Sequence, residues 1–352
     1  KNIVFEDTFS SYNSYFLVTL YRLLPETRFA ITSGIVNEAN HIKKIIINDL
    51  TLNESTESII AEAFRKAFAN TSNKITSQNT QKINININDI VDVVMVFGKF
   101  GIETPFDLLM RVFPALKYSN IDSVFKVIDI IRWSENSYGE IYLSSRNTLE
   151  AEIYCKRIIA SSKEHVKILL SVISCVEQRK SSNCPEIGFC ADVVRAFGPN
   201  GKYGKEYSEY YLDISRALGE LLESKKIVNT KLMLLQANLL REYGRSKYDN
   251  PSLFYQEYYD LLHEALVVIE KAIDLEERLE KRSIKQARFS LIALYGEKAS
   301  ILGTVANQCT NDNKDENVIT KHILEAIDTA RESFKYNISN YRSLDSIAWI
   351  VT

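Results

Sequence analysis

The stretch SLFYQEYYDLLHEALVVIEKAIDLEERLE, residues 252–280, decides the fold class. Its apolar residues recur every three to four positions, which is the pattern of a long amphipathic helix. Four further runs have the same character: EHVKILLSVISCVEQ, EYSEYYLDISRALGELLESK, NTKLMLLQANLLREYG and SIKQARFSLIALYGEKASILGTVA. The chain beyond residue 161 is therefore predicted to be almost entirely helical.

Small and aromatic residues recur within these helical runs. The alanines on apolar faces include Ala237, Ala265, Ala272 and Ala299, and the nearby tyrosines are Tyr207, Tyr211, Tyr255, Tyr259 and Tyr295. Helix pairs that pack Ala against Tyr or Phe are typical of tetratricopeptide (TPR) arrays. We expect a TPR-like array without assigning a repeat count, because the period of the pattern is irregular.

Length and composition indicate a protein of two or three domains with an ordinary globular core. The chain has 352 residues, of which 45% are hydrophobic and 25% are charged. The formal net charge of −2 argues against a surface built to bind nucleic acid. No apolar run approaches the roughly 20 residues needed to span a bilayer, so we expect no membrane association.

The five cysteines form no CxxC pair, and their spacing fits no common zinc template. We interpret them as reduced, mostly buried thiols of a cytoplasmic protein. The sequence has no signal peptide and no initiating Met, and it opens inside a strand pattern. This favours a segment of a longer protein.

Residues 1–50 alternate between strand and helix signals, which predicts a βαβ unit with a parallel sheet. The first strand pattern, IVF, runs directly into Glu6 and Asp7. Acids at such a strand end hold magnesium and orient the attacking water in P-loop NTPases, whereas the alternative is a strand exit with two solvated acids. The next strand ends in Thr32 and Ser33, where these folds place a polar sensor of the γ-phosphate.

The middle of the chain is more varied. INININD, residues 83–89, alternates like a half-buried strand, but it is equally compatible with the start of a helix. TPFDLLMRVF is predicted as a helix with Pro105 at its first position. NIDSVFKVIDIIRWSEN is predicted as a second helix, GEIYLSSR as a short strand and NTLEAEIYCKRII as a further helix. Helix, helix, strand, helix is the outline of a winged-helix module.

Three charged or Gly-rich segments each have a functional and a structural interpretation. Arg146 is positioned to bind a phosphate, or to pair with Glu150 or Glu152 on the following helix. FGPNGKYGKEY superficially resembles a phosphate cradle, but it lacks the GxxxxGK[ST] pattern and is better interpreted as a helix connection. KKIVNTK is interpreted as a turn between helices, and DLEERLEKRSIKQAR as a solvated helix face with intrahelical charge pairs.

In their order, these modules resemble the STAND class of P-loop NTPases, particularly bacterial antiviral sensors with a C-terminal TPR-like array. NIVFED resembles the Walker B strand and TRFAITSG the sensor-1 strand. SSRNTLEAEIYCKRI is similar to the end of the family's winged helix, and FGPNGKYGKEYSEYYLDISRAL to the first sensor helices. The resemblance divides the chain into the end of an NTPase core (1–50), a helical lid (51–103), a winged-helix module (104–160) and a TPR-like sensor array (161–352).

The resemblance implies a nucleotide site that uses ATP and Mg²⁺ and is completed by a Walker A loop upstream of Lys1. It assigns hydrolysis to Glu6 and Asp7, the magnesium ion to Asp7, and γ-phosphate contact to Thr32 or Ser33, with Arg146 as a further phosphate ligand. Two departures weaken the last contacts: Asn147 stands where many relatives carry His, and Gly34 where an Arg often closes the sensor strand.

The function that this resemblance implies is a ligand-sensing switch. A foreign protein, such as a phage protein, would bind the helical array, and ATP-bound copies would then form a homo-oligomer. Two alternatives use the same modules differently: a non-enzymatic scaffold for protein–protein interaction, or a DNA-binding regulator. The last is disfavoured because NIDSVFKVIDIIRWSEN contains only Lys126 and Arg132 as basic residues.

Overall fold

A computed structural model describes residues 87–114, 131–136, 139–178, 185–248, 255–280, 285–336, 344 and 347–350. Within these ranges the protein is mainly α-helical with one small antiparallel sheet. The mainly helical class predicted from the sequence is confirmed. The predicted βαβ unit, with Glu6, Asp7, Thr32 and Ser33, lies outside the described residues.

The first part of the described chain, residues 87–160, is here called the module. Its elements are α1 (Ile87–Gly98), β1 (Thr104–Pro105), α2 (Phe106–Val112), β2 (Ile131–Glu135), β3 (Ile141–Ser145) and α3 (Thr148–Tyr154). A π-helical turn, Cys155–Ile159, continues α3. The strands are antiparallel in the order β1-β3-β2, and Leu143 of β3 lies opposite both Thr104 and Trp133.

Two predictions for the module are confirmed and one is wrong in part. GEIYLSSR contains β3, and NTLEAEIYCKRII forms α3 with its π-helical turn. The stretch predicted as a second helix instead ends in β2, whose residues 131–135 pair with β3. The hairpin turn explains the difference: Gly139 adopts a φ of 78°, and its N–H donates to the carbonyl of Asn136. Pairing with a neighbouring strand overrides the local helical spacing.

The helical alternative for INININD is confirmed, whereas the start of the next helix differs from the local prediction. The INININD stretch supplies the beginning of a helix, since α1 starts at Ile87. Pro105, predicted as the first residue of a helix, belongs to β1 and precedes α2. Its φ of −60° suits both conformations, and its ψ of 127° is extended.

The second part, residues 161–336, is here called the array. Its elements are α4 (Ser162–Ser174), α5 (Pro185–Phe197), a 3₁₀ turn (Gly204–Tyr210), α6 (Tyr211–Ser224), α7 (Thr230–Tyr248), α8 (Tyr255–Glu280), α9 (Lys285–Asn311), α10 (Glu316–Glu332) and a final 3₁₀ turn (Ser333–Lys335). From α6 onward each helix packs against the next, as predicted for an array. However, α8 has 26 residues and α9 has 27, so this pair exceeds the roughly 34 residues of a TPR unit.

The charged run DLEERLEKRSIKQAR covers the end of one helix and the start of the next. Helix α8 ends at Glu280 and α9 begins at Lys285, so the charged run spans the connection between two helices. The guanidinium of Arg288 contacts the carboxylate of Glu280 at 3.3 Å. This pair links the two helices and therefore differs from the intrahelical pairing that the sequence suggested.

Two apolar cores share helix α7. The first extends from Ile90 in α1 to Leu232 and Leu239 in α7, and therefore includes module and array residues alike. The second contains Met233, Ala237 and Leu240 of α7 together with residues of α8 and α9. Because neighbouring positions on α7 face different cores, this helix joins the two halves of the described structure.

Candidate functional site at the joint between module and array

Lys99 has a side chain that is only 4% exposed, which is unusual for a lysine. It follows the last turn of α1, where a cation also interacts favourably with the helix C-terminus. Its ammonium nitrogen Nζ donates to the hydroxyl of Tyr207 at 3.0 Å and lies 3.3 Å from Oε2 of Glu206. Lys99 belongs to the module, whereas Glu206 and Tyr207 belong to the array.

Three aromatic rings surround the ammonium group. Nζ of Lys99 lies 4.2 Å from the ring centroid of Tyr203, 5.4 Å from that of Tyr207 and 5.6 Å from that of Phe100. Cation–π attraction at such distances is worth roughly 0.5–2 kcal/mol, with the higher values in desolvated sites. The rings therefore offset part of the cost of removing the Lys99 charge from water.

His165, in the first turns of α4, continues this polar chain. Its Nδ1 lies 3.0 Å from the Tyr207 hydroxyl oxygen. The Tyr207 hydroxyl accepts a hydrogen bond from Lys99, and its second hydrogen bond, to Nδ1, is compatible with either tautomer of the neutral His165 ring. Nε2 is buried and has no hydrogen-bond partner among the described residues. Burial, reinforced by the positive charge of Lys99, lowers the pKa of His165 to about 4.

Other ion pairs also connect the module with the array. Arg111 of α2 pairs with Glu186 of α5, whose side chain is 2% exposed. Nε of Arg111 also donates to the carbonyl of Cys175 at 3.0 Å. At the surface, Lys202 lies 3.5 Å from Glu152 of α3.

We use the term joint for Lys99, Phe100, His165, Tyr203, Glu206 and Tyr207. Lys99, His165 and Tyr207 are buried between the two parts, whereas Glu206 is exposed, so the arrangement suits mechanical coupling better than substrate binding.

The Gly-rich segment FGPNGKYGKEY positions the aromatic rings of the joint. It connects α5 to the 3₁₀ turn, so its interpretation as a helix connection is confirmed. A Cβ atom on Gly201 would lie 1.9 Å from the carbonyl oxygen of Ala196, which no side chain can tolerate. Close approach of two backbone segments therefore explains this glycine. KKIVNTK likewise contains the predicted turn, between α6 and α7.

Arg146 is the one predicted nucleotide ligand among the described residues. Its Nε and Nη2 atoms donate to the carboxylate of Glu150 at 2.9–3.1 Å. Pairing with an acid on the following helix is the alternative to phosphate binding that the sequence offered. Asn147 caps α3 by accepting the N–H of Glu150 at 2.8 Å. A phosphate at Arg146 would compete with Glu150 for the guanidinium group.

The four described cysteines, Cys155, Cys175, Cys190 and Cys309, are free thiols. Burial raises the pKa of Cys155 and of Cys190 to about 12, which suppresses the reactive thiolate form. Within the described ranges, no three His, Cys, Asp or Glu side chains are grouped so as to hold a metal ion. The helices described are all too short or too polar to cross a membrane.

Sequence reasoning missed Lys99 and His165 as members of a shared site. Lys99 and Tyr207 are separated by 108 positions, and no local pattern relates them. The only sequence signal was the aromatic and charged segment around Tyr203 and Tyr207. No protein-family model matches the chain, and no curated protein or solved structure is significantly similar to it.

Proposed function

We propose that this chain is the ligand-sensing C-terminal portion of a STAND-type ATPase that acts in bacterial antiphage defence. The observation that carries the proposal is the direct packing of the module onto the array through one continuous apolar core and a buried polar joint. A sensor must pass the effect of binding to the rest of the protein, and a shared core provides a physical path for it.

The module is proposed to be a winged helix. Its order α1-β1-α2-β2-β3, with β1 and β2 on either side of β3, supports this proposal. Helix α1 then belongs to the winged helix, whereas the sequence placed residues 87–103 in a helical lid. Helix α1 packs on β3 and α3, which favours the assignment to the module.

The nucleotide site is proposed to lie in the segment that includes Glu6, Asp7, Thr32 and Ser33, together with residues upstream. Mg²⁺ bound to ATP would neutralise charge that develops on the phosphates during hydrolysis. Asp7 would hold the ion, Glu6 would orient the attacking water, and Thr32 or Ser33 would contact the γ-phosphate. Arg146, held by Glu150, is better suited to stabilising the start of α3.

The array is proposed to bind a protein ligand, such as a phage protein, in the cytoplasm and to promote assembly of a homo-oligomer. Its long helices offer an extended surface for distributed contacts. To change a population from 1:99 to 99:1, the ligand must bind the active state about 5.5 kcal/mol more tightly than the inactive one. Several anchor residues along an extended surface are sufficient for such a difference.

A non-enzymatic scaffold is the second candidate function. It is favoured by the Arg146–Glu150 pair, which occupies the one described side chain expected at the nucleotide. The same array would then bind a partner protein with no involvement of ATP. The two candidates differ in one sequence feature, since only the ATPase requires a GxxxxGK[ST] loop upstream in the complete gene.

The decisive experiment is ATP hydrolysis by the full-length protein with Asp7→Ala and Glu6→Gln variants. We expect each variant to lose at least 100-fold in kcat, because magnesium binding or water orientation is removed. Glu264→Gln and Asp274→Ala, two exposed acids on α8, are the matched controls and should hydrolyse ATP normally. Equal activity in all five proteins, or no activity with any tested trigger, would favour the scaffold.

A further inference from the structure

The covalent connection between module and array carries unusual backbone geometry. Helix α3 ends in the π-helical turn Cys155–Ile159, and Ala160 follows with a φ of 31°. The N–H of Ala160 donates to the carbonyl of Cys155 at 2.7 Å, which closes the π turn. A non-Gly residue at positive φ is strained, and π-helical turns are frequent at functional positions. Ala160 is exposed, so packing of its methyl group does not explain this conformation.

The noncovalent contact between module and array also contains a buried polar atom whose hydrogen bonding is incomplete. The chain of hydrogen bonds Lys99–Tyr207–His165 ends on Nε2 of His165, which is buried without a partner among the described residues. A buried ring nitrogen that has lost its water partners destabilises the closed arrangement, whether it is a donor or an acceptor. Opening of the joint would expose this nitrogen to water and would let Ala160 relax. Both effects oppose the packing and ion pairs that hold the joint closed.

We propose that the joint is a release latch, with Ala160 as its hinge, which opens locally while the second core around α8 and α9 remains folded. The latch consists of the Lys99–Tyr207–His165 chain and the aromatic rings around Lys99. This inference goes beyond the proposed function, because it requires neither a nucleotide nor a particular ligand. A two-state element at this position would allow binding on the array to alter the module.

The test is native-state hydrogen exchange of the 352-residue chain, followed by mass spectrometry. Peptides covering residues 155–165 and 203–211 report the joint, and peptides from residues 291–306 report α9. Tyr207→Phe removes the hydroxyl that bridges Lys99 and His165, so Lys99 keeps only Glu206 and Nδ1 of His165 loses its contact. We expect exchange at the joint to accelerate at least tenfold, with little change in α9. Tyr210→Phe is the matched control on the same turn and should have no such effect.

A second pair of variants tests the hinge without disturbing the buried chain. At Ala160 we expect exchange of the joint to be slowest with Gly, intermediate in the natural protein and fastest with Val, because a β-branched residue tolerates positive φ least. At Ala217, in the middle of α6, neither Gly nor Val should slow exchange, because both lower helix propensity.

Two results would overturn the latch. One is exchange of the joint at the same rate as α9 in every variant, which means that the joint opens only when the whole molecule unfolds. The other is equal exchange for Gly and Val at position 160. Because none of these measurements involves ATP, failure of the latch is distinguishable from failure of the proposed ATPase. A latch confirmed in a protein without ATPase activity would remain valid for a scaffold.

Discussion

The imidazole of His165 couples proton binding to folding. Its pKa in the folded protein, about 4, lies below the ordinary value of about 6.5 because burial and the nearby Lys99 disfavour the charged ring. The unfolded chain therefore binds a proton in a pH range in which the folded protein does not. Stability from this group is complete above pH 6.5 and is lost as the pH falls towards 4.

We expect the free energy of unfolding to fall by about 2–3 kcal/mol between pH 7 and pH 4.5 through His165 alone, since each pKa unit corresponds to about 1.4 kcal/mol. Urea unfolding at several pH values measures this change. Carboxylates also titrate near pH 4.5, so the useful quantity is the difference between the natural protein and His165→Phe. The prediction fails if the two proteins lose the same amount of stability over this range.

At the scale of the element, α9 contains two glycines in different surroundings. A Cβ on Gly303 would lie 2.7 Å from Cγ1 of Ile350 and 2.8 Å from Cζ3 of Trp349, whereas a Cβ on Gly296 would have no neighbour within 4 Å. The absence of a side chain at Gly303 therefore lets the C-terminal helical turn, residues 347–350, approach α9. The same residue type thus has a packing role at one position and none at the other.

Gly303→Ala is expected to displace this C-terminal turn, because the new methyl group would occupy the space of Trp349 and Ile350. Trp349 fluorescence, recorded in a Trp133→Phe background that leaves one tryptophan, should shift to longer wavelength. Gly296→Ala should instead stabilise the protein by up to about 1 kcal/mol through helix propensity, with unchanged emission. Identical emission spectra for the two variants would contradict this account.

At the scale of the whole molecule, α7 couples the two apolar cores. Leu239 is 1% exposed and faces the first core, while Leu240 is 0% exposed and faces the second. Destabilising α7 therefore removes one wall of each core. By contrast, Leu218 of α6 belongs to the first core alone and Ile269 of α8 to the second alone.

Leu239→Ala and Leu240→Ala should each cost about 2–5 kcal/mol, and each should accelerate hydrogen exchange in both α5 and α9. Leu218→Ala and Ile269→Ala are the controls, for which we expect acceleration mainly within their own core. Exchange mass spectrometry of the four variants distinguishes these patterns. If Leu239→Ala affected α5 without affecting α9, the two cores would be independent units.

How far the sequence predicts the structure depends on the range of the contacts involved. Most helices of the array, β3, α3 and the turn in KKIVNTK follow from local spacing. The sequence offered Glu150 and Glu152 as partners of Arg146, and the structure selects Glu150, four residues away. Strand β2 was missed because its conformation depends on pairing with β3 across a turn. The pair between Arg288 and Glu280 was missed because it joins two helices, and their packing is not visible in the local pattern.

The sequence by itself therefore determined the mainly helical class, the positions of most helices and the connections between several of them. Apolar periodicity and local side-chain pairs act over a few residues and are visible in the chain. Only the tertiary structure decided that Lys99 contacts Tyr207 and that Tyr207 contacts His165. It also decided that module and array share one core and that α7 contributes to two cores. These features depend on contacts between residues up to 108 positions apart, which no local pattern encodes.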